Sequence, residues 1–346
     1  MTIVSRHYDH VIGVDTHAKT HTLVILNSAG ARLAEGTFPT SPAGLKRAHG
    51  WMVRNAPGRT LAAMEGTGSY GARFADLLAR EGITVAETKP PKRGARRAGK
   101  SDAIDAEHAA RHVVSLAMDR ILIPRKHDGD QAALRVLLTG RRAKTMEKTA
   151  TSNALIALLR SHDLGVDART APSAAEIKQI AGWRPRATDS AAMTTIRGEA
   201  ISAARAIGVK DTELTANTAG LIKHVTTIAP WLLDQNGVGH FVAAQLIVAW
   251  SHPGRIRSEA AFARLGGVAP IPASSGNTTR HRLHRGGDRQ LNHALWIIAS
   301  SRMLFDPDTK TYAAKRTAEG RTRKEILRSL KRYIARTTFR KLHNMP

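Results

Sequence analysis

Several residue types and patterns are missing or scarce in this chain of 346 residues. There is no cysteine, which excludes disulfide bonds, thiol catalysis and zinc sites built on cysteine. No run of about 18 apolar residues occurs, and the N-terminus lacks the apolar core of a signal peptide, so we expect a cytoplasmic protein without a membrane partner. Aromatic residues are only 4% of the chain, which argues against a surface that binds nucleic acid mainly by base stacking.

Acidic residues are also few in comparison with basic ones. The chain has 53 Lys and Arg against 28 Asp and Glu, which gives a formal net charge of +25. The segment 251–346 alone holds 20 basic and 6 acidic side chains. A surplus of this size indicates a polyanionic partner and favours nucleic acid.

The first third of the chain has the pattern of an α/β domain. Ser41 before Pro42 predicts a helix start, and a second helix should end before Gly82. Apolar, β-rich runs predict strands at 11–14, 20–26, 32–38, 60–64 and 83–87. Three consecutive strands followed by alternating helices and strands predict a mixed sheet.

Helical patterns dominate the rest of the chain. They cover 130–160, 188–233, 241–250, 288–303 and a very basic segment at 321–341. We expect three parts: an α/β domain at 9–123, a helical, coiled-coil-like linker and dimerisation region at 124–233, and a mostly α-helical C-terminal domain at 234–346. The Gly-x-Gly at 237–239 is either a plain turn between helices or a hairpin that binds phosphate, and both readings stay open.

Four acidic side chains lie at the ends of predicted helices and strands in the α/β part. Asp102 and Asp105 begin an Ala-rich helical stretch and, three residues apart, share one helix face. Asp15 and Glu65 each follow a predicted strand, where side chains point into the crevice that binds ligands in α/β sheets. Paired carboxylates suit Mg²⁺, and four converging ones would repel each other unless cations, such as two Mg²⁺ ions, neutralise them. The alternative is that Asp102 and Asp105 only stabilise a helix N-terminus, and that Asp15 is a turn residue.

Several motifs, taken in order, resemble the DEDD transposases of the insertion-sequence-110 family. The acidic motifs are Val11-Ile12-Gly13-Val14-Asp15, Met64-Glu65-Gly66-Thr67-Gly68 and Lys100-Ser101-Asp102-Ala103-Ile104-Asp105-Ala106. The downstream motifs are Leu265-Gly266-Gly267-Val268-Ala269-Pro270, Ser274-Ser275-Gly276 and Arg285-Gly286-Gly287-Asp288-Arg289-Gln290-Leu291. The resemblance runs from about Val11 to Met303.

The resemblance implies a fold and an activity. It implies a RuvC-like (ribonuclease H-like) N-terminal domain with a mixed sheet, a long helical arm and a C-terminal transposase domain. It implies Mg²⁺-dependent recombination of donor and target DNA in a bacterial or archaeal cell, guided by a structured bridge RNA that the element encodes. It also implies a homo-oligomer in which dimers assemble into a tetramer on two DNA duplexes.

With the resemblance, Ser275 becomes the candidate nucleophile and Ser274 its chief rival. The segment 273–277 follows two prolines and should be a loop, in which Gly276 permits a tight turn. A serine hydroxyl needs activation by a base or a metal, so we expect the serine loop and the carboxylates to form a composite site, in which the two domains can come from different protomers. Without the resemblance, a Ser/Gly surface loop is the simpler interpretation.

Basic side chains near these motifs are the candidate contacts to nucleic acid, with an affinity that should fall steeply with salt. They form a basic segment before Asp102, a group around the serine loop and the C-terminal helix. The residues are Lys92, Arg93, Arg96, Arg97, Lys100, Arg280, Arg282, Arg285, Arg289, Arg323, Lys324, Arg328, Lys331 and Arg332.

Three functions remain in competition. The first is a recombinase with metal-bound carboxylates and a serine nucleophile. The second is a RuvC-like junction resolvase or other structure-specific DNA endonuclease, in which metal-activated water attacks. The third is a non-catalytic nucleic-acid-binding protein. The intact acidic set argues against the third, and the Ser-Ser-Gly segment with its own domain argues against the second.

Overall fold

The structure is a computed structural model that describes residues 2–88, 101–277, 281–282, 284 and 286–345. The chain divides into two compact units. The first comprises Met1–His127 and Ser251–Arg257, and the second comprises Asp128–Trp250 and Ser258–Pro346. The chain therefore returns once to the first unit, through a seven-residue segment, before it completes the second.

A five-stranded mixed sheet forms the centre of the first unit. Its strands are β1 (His10–Thr16), β2 (Thr20–Asn27), β3 (Arg32–Pro39), β4 (Thr60–Met64) and β5 (Thr84–Glu87). Their order is β3-β2-β1-β4-β5, in which β2 is antiparallel to β1 and β3, whereas β4 is parallel to β1 and β5. The predicted mixed sheet is confirmed, and this arrangement is that of a ribonuclease H-like, RuvC-like domain.

Helices cover both faces of this sheet. They are α1 (Val4–His7), α2 (Pro42–Asn55), α3 (Ala72–Arg80) and α4 (Asp102–Val114). The predicted N-cap of α2 is confirmed, since Ser41 Oγ accepts a hydrogen bond from the Gly44 amide at 3.2 Å. The short helix α1 was not predicted, because four residues are too few for an apolar period to be recognised.

Alternation along β1 assigns its side chains to the two faces. Ile12 and Val14 belong to the core cluster that contains residues of α2 and α3, whereas Val11 belongs to the cluster that contains α4. Because side chains alternate along a strand, Gly13 and Asp15 face the α4 side together with Val11. The strand thus directs its one carboxylate toward the helix that begins with Asp102.

Two long antiparallel helices begin the second unit. They are α5 (Gly129–Ser161) and α7 (Ala191–Ile228), and the shorter α6 (Ala174–Ala181) lies between them in the chain. At one end, Asp130 Oδ1 lies 2.6 Å from His224 Nδ1. Further along, Asn217 Nδ2 donates to the Leu137 carbonyl at 2.9 Å. Both predicted long helices are confirmed, whereas α6 was not predicted although Ser173 and Glu176 form a capping box at its start.

The remainder of the second unit is mostly helical, as predicted. Its helices are α8 (His240–Trp250), α9 (Glu259–Leu265), α10 (Arg289–Phe305), α11 (Pro307–Ala318) and α12 (Arg323–His343). The apolar helix α8 is almost entirely buried, and α12 buries one stripe of residues. The strands β6 (Ile271–Pro272) and β7 (His281–Arg282) pair where only a loop was predicted.

Candidate active site

Asp15 and Glu65 lie next to each other because β1 and β4 are parallel. Val14 is paired with Met64 in the sheet, so the residue that follows in each strand is a carboxylate at the same edge. The hydroxyl of Thr16 donates to the Glu65 carbonyl at 3.1 Å and ties the two strand ends together. This part of the acidic set is therefore held by main-chain pairing.

Helix α4 reaches this edge of the sheet because β1 carries a glycine beneath it. A Cβ atom at Gly13 would lie only 1.7 Å from the carbonyl oxygen of Ala106, so helix and strand approach more closely than any side chain would allow. Ser101 Oγ accepts from the Ile104 amide at 3.3 Å and starts the helix at Asp102.

The buried stripe of α4 continues into its two acidic residues. Ala106, Ala109 and Val113 face the sheet and are buried. Asp102 lies four residues before Ala106, and Asp105 lies four residues before Ala109, so both belong to this face one turn beyond the core. The helix thereby aims Asp102 and Asp105 at the edge where β1 ends.

The charges of two carboxylates on α4 act on the carboxyl group of Asp15. Burial raises the pKa of Asp15, and the charges of Asp102 and Asp105 raise it further, while His17 opposes them. The side chain of Asp15 is only 13% exposed, compared with 54% for Asp102. These influences disfavour the negative charge on Asp15, and a bound cation would favour that charge.

His17 was not among the predicted site residues, yet it lies inside this group. Its Nε2 atom is 2.9 Å from Asp15 Oδ2 and 3.4 Å from Asp102 Oδ1. One donor atom from each of these three residues lies within 4.8 Å of the others. The only signal in the sequence was a histidine two residues after the predicted strand-end carboxylate.

The donor set fits a divalent cation. Asp15 and Asp102 offer oxygens, His17 offers a nitrogen, and Asp105 acts on Asp15 through its charge. Glu65 is partly exposed at the end of the neighbouring strand. Carboxylate oxygens are the ligands that Mg²⁺ and Mn²⁺ prefer in proteins.

Glu87, at the end of β5, has a different environment. Its carboxylate accepts two hydrogen bonds from Arg255, at 2.6 and 3.1 Å, and Arg255 also donates to the Ile123 carbonyl at 2.7 Å. Burial raises the pKa of Glu87, but the hydrogen bond and charge of Arg255 and the hydrogen bond of Thr67 outweigh it, and the pKa lies below its usual value. Glu87 is neutralised by an internal arginine, so it joins the returning segment to the strand ends instead of adding to the candidate metal ligands.

The predicted serine loop lies in the second unit. Residues 273–277 follow β6 and are the described part of the connection to β7, and both Ser274 and Ser275 are exposed. Gly276 has a φ of 55°, which is the left-handed conformation expected for a tight turn. Arg282 in β7 and Arg289 at the start of α10 are exposed, whereas Arg280 and Arg285 lie outside the described residues.

The two glycine-rich motifs that flank the loop pack on each other. The Asp288 amide donates to the Leu265 carbonyl at 2.7 Å, and Asn292 Nδ2 donates to the Gly266 carbonyl at 2.6 Å. Asp288 also caps α10 by accepting from two main-chain amides. The motifs thus support the base of the loop that carries Ser275.

The predicted nucleic-acid contacts are placed as follows. Lys92, Arg93, Arg96, Arg97 and Lys100 lie outside the described residues. On α12, the side chains of Arg323, Lys324 and Arg328 are exposed.

Two other predicted contacts on α12 take part in internal interactions. Lys331 Nζ donates to Asn292 Oδ1 at 3.2 Å, and Arg332 lies 3.6 Å from Glu259. Burial lowers the pKa of Lys331, and the charge of Arg328 adds to this effect.

Within the described part of the chain, no helix has the length and apolar character needed to cross a membrane.

Comparison with known proteins finds two matching family models. Residues 12–162 match the model of the DEDD transposase of IS110 elements, described as a transposase. Residues 229–314 match the model described as the transposase IS116/IS110/IS902 family. The first match contains the four predicted carboxylates, and the second contains Ser274 and Ser275.

A protein of Streptomyces coelicolor, named "Insertion element IS110 uncharacterized 43.6 kDa protein", is 34% identical to the chain over 119 residues. That match covers 34% of this chain and 29% of the relative, so the chain spans less than a third of the relative's length.

Proposed function

This chain belongs to the IS110 family of insertion-sequence transposases, and we propose that it is the recombinase that cuts, exchanges and rejoins DNA strands when such an element moves. In this proposal, residues 9–123 form the catalytic domain, residues 124–233 form the helical dimerisation region, and residues 234–346 form the transposase domain with the serine loop. Donor and target DNA are the substrates, and the reaction takes place in the cytoplasm.

One observation carries the proposal more than any other: a partly buried Asp15 that two further carboxylates on α4 face. Burying like charges together is unfavourable unless a cation joins them, so this arrangement supports a metal site. Asp15, Glu65, Asp102 and Asp105 would hold the ions. A divalent cation there would activate a nucleophile and stabilise the charge that develops on phosphate oxygens.

Ser275 is the proposed nucleophile. Its hydroxyl oxygen forms a bond to phosphorus while the bond from phosphorus to the oxygen of one DNA end breaks; the serine gives up its proton, and the leaving oxygen takes one up. The phosphodiester energy is conserved in the protein–DNA link, so reversal of the step rejoins strands without ATP. The exposed position of Ser275 in a connection between two short strands supports access to DNA.

A structured bridge RNA is the proposed guide. Base pairing with RNA would select the DNA sequence, so the protein would need few contacts to base edges. The net charge of +25 and the exposed cations of α12 support binding to RNA and DNA backbones. A tetramer, assembled from dimers, would hold the two DNA duplexes.

The test separates cleavage from binding. The protein would be purified with its co-purifying RNA and mixed with donor DNA, target DNA and Mg²⁺. We expect Asp15→Asn, Glu65→Gln, Asp102→Asn and Asp105→Asn each to lower strand cleavage by at least ~100-fold, because each removes a ligand at the reacting centre. RNA binding should remain close to that of the unchanged protein.

The matched control is Asp119→Asn, which neutralises an exposed carboxylate of the same unit and should cut normally. Recombination at the original rate by Asp15→Asn or Asp102→Asn would overturn the proposal. Loss of RNA binding in these variants would mean that the carboxylates act in folding or RNA recognition rather than in chemistry.

A further inference from the structure

His17 lies among the carboxylates of the candidate site, but it is not one of the predicted site residues. We propose, as an extension of the proposed function, that Nε2 of His17 is a direct ligand of the metal ion held by Asp15 and Asp102. The nitrogen would raise the affinity of the site for Co²⁺ and Mn²⁺ relative to Mg²⁺.

The spacing of the donor atoms suits a shared ion. Two ligands at right angles on an octahedral ion, with bonds of about 2.1 Å, are about 3 Å apart. His17 Nε2 lies 2.9 Å from Asp15 Oδ2 and 3.4 Å from Asp102 Oδ1. The nitrogen that now contacts both carboxylates would offer its lone pair to an ion held between them.

The main chain fixes His17 at this place. It begins the turn between β1 and β2, where its amide donates to the Thr20 carbonyl at 3.1 Å. The hydroxyl of Thr40 donates to the Ala18 carbonyl at 2.9 Å and braces the same turn. The side chain is 52% exposed, so the imidazole supports no hydrophobic core and its position is explained by the two carboxylates.

A nitrogen donor changes which metals the site prefers. Imidazole binds later transition metals well, and affinity for nitrogen and oxygen sites rises from Mn²⁺ to Co²⁺ and beyond. Mg²⁺ strongly prefers oxygen and keeps several waters, so a water can replace the imidazole at little cost. Loss of His17 should therefore weaken Co²⁺ binding far more than Mg²⁺ binding.

A competing role makes the opposite prediction. If His17 only neutralised the carboxylates and had to move aside for a metal, its removal would leave the carboxylates more available. Affinity for both Co²⁺ and Mg²⁺ would then rise. A decrease in Co²⁺ affinity on removal of His17 would identify it as a ligand, and an increase would identify it as a group that the metal displaces.

The test is calorimetric titration of the full-length protein with Co²⁺ or Mg²⁺ in the absence of DNA. We expect His17→Asn to lower Co²⁺ affinity by at least ~10-fold, as loss of a ligand requires, and Mg²⁺ affinity by less than ~3-fold. The control is His112→Asn, which removes an exposed histidine near the other end of α4 and should bind both metals normally. Thermal unfolding of each variant checks that the fold is intact.

A spectroscopic measurement tests the same bond directly. With bound Mn²⁺, electron spin echo modulation should detect a coordinated nitrogen in the unchanged protein and in His112→Asn, but not in His17→Asn. Unchanged or higher Co²⁺ affinity in His17→Asn, or a nitrogen signal that survives in it, would overturn the assignment of His17. If Asp15→Asn also bound Co²⁺ and Mg²⁺ normally, the metal site itself, and with it the proposed function, would be wrong.

Discussion

Replacing Gly13 by alanine should displace α4 and disable the acidic site without touching a carboxylate. The new Cβ would lie 1.7 Å from the Ala106 carbonyl oxygen, whereas contacts below about 3 Å are not sustained. The helix would have to retreat by more than about 1 Å. Asp102 and Asp105 begin this helix, so they would move away from Asp15.

Two magnitudes follow from that displacement. Overpacking of this kind costs about 1–3 kcal/mol of unfolding free energy, which corresponds to a melting temperature lower by roughly 2–12 °C. A misplacement of about 1 Å at a reacting centre costs about 100-fold in rate. We therefore expect Gly13→Ala to stay folded at 25 °C, to melt earlier and to cut DNA at most at ~1% of the original rate.

The assay is strand cleavage on labelled donor DNA, together with thermal unfolding followed by circular dichroism. The control is Gly50→Ala on α2, where the new Cβ would have an ordinary contact of 3.5 Å with the end of the Arg54 side chain. That variant should gain about 0.5–1 kcal/mol, since alanine is the better helix former, and should cut normally. A Gly13→Ala protein that melts and cuts like the unchanged protein would refute the close packing of α4 on β1.

Further predictions concern the ion pair of the first unit and the basic helix. Arg255→Met should lower the unfolding free energy by about 1.5–3 kcal/mol, as loss of charged hydrogen bonds does. The control is Arg59→Met, which removes an exposed ion pair with Asp9 at 3.8 Å and should cost about 0–1 kcal/mol. Equal costs in chemical denaturation would contradict this prediction. Because the pKa of Glu87 is lowered in the folded protein, the stability it confers is present above its unfolded pKa and is lost as pH falls through its folded value. In Glu87→Gln, the free energy of unfolding should therefore fall less steeply as the pH is lowered below about 4.5. An unchanged pH dependence would argue against the ion pair of Glu87 with Arg255. Arg323, Lys324 and Arg328 are exposed cations of α12. Neutralising all three should lower the slope of log affinity for RNA against log salt concentration by about 2–3. The control Arg169→Gln, on an exposed connection, should leave this slope unchanged.

Local signals made much of the first unit predictable. Asp15 follows an apolar run, Ser41 and Pro42 mark a helix start, and the spacing of Asp102 and Asp105 sets a helix face. Each of these depends on residues a few positions apart, and the strand pairing and helix caps bear them out. The same signals do not reveal which elements approach each other closely.

The features of the site that the sequence did not predict depend on contacts between residues that are far apart in the chain. In the sequence, Gly13 is only a residue that weakens a strand. The fold shows why glycine is needed there, because the carbonyl of Ala106 packs directly against it. Arg255 and Glu87 are separated by 168 positions, and no local pattern connects them. His17 stands in a short turn, where polar residues are common, and only the fold brings Asp102 to its ring. Shape and charge at the site therefore come from tertiary packing that single-sequence patterns do not encode.

The most direct test of the whole account is to trap the protein on donor DNA during cleavage and to identify the attached residue by digestion and mass spectrometry. The account predicts a phosphoserine link to DNA at Ser275 that is absent in Ser275→Ala and retained in Ser274→Ala. A link at Ser274 would move the nucleophile by one residue and leave the mechanism in place. Free cut ends that accumulate without any protein–DNA link would contradict the account, because they indicate that water attacks the phosphate, as in a structure-specific nuclease.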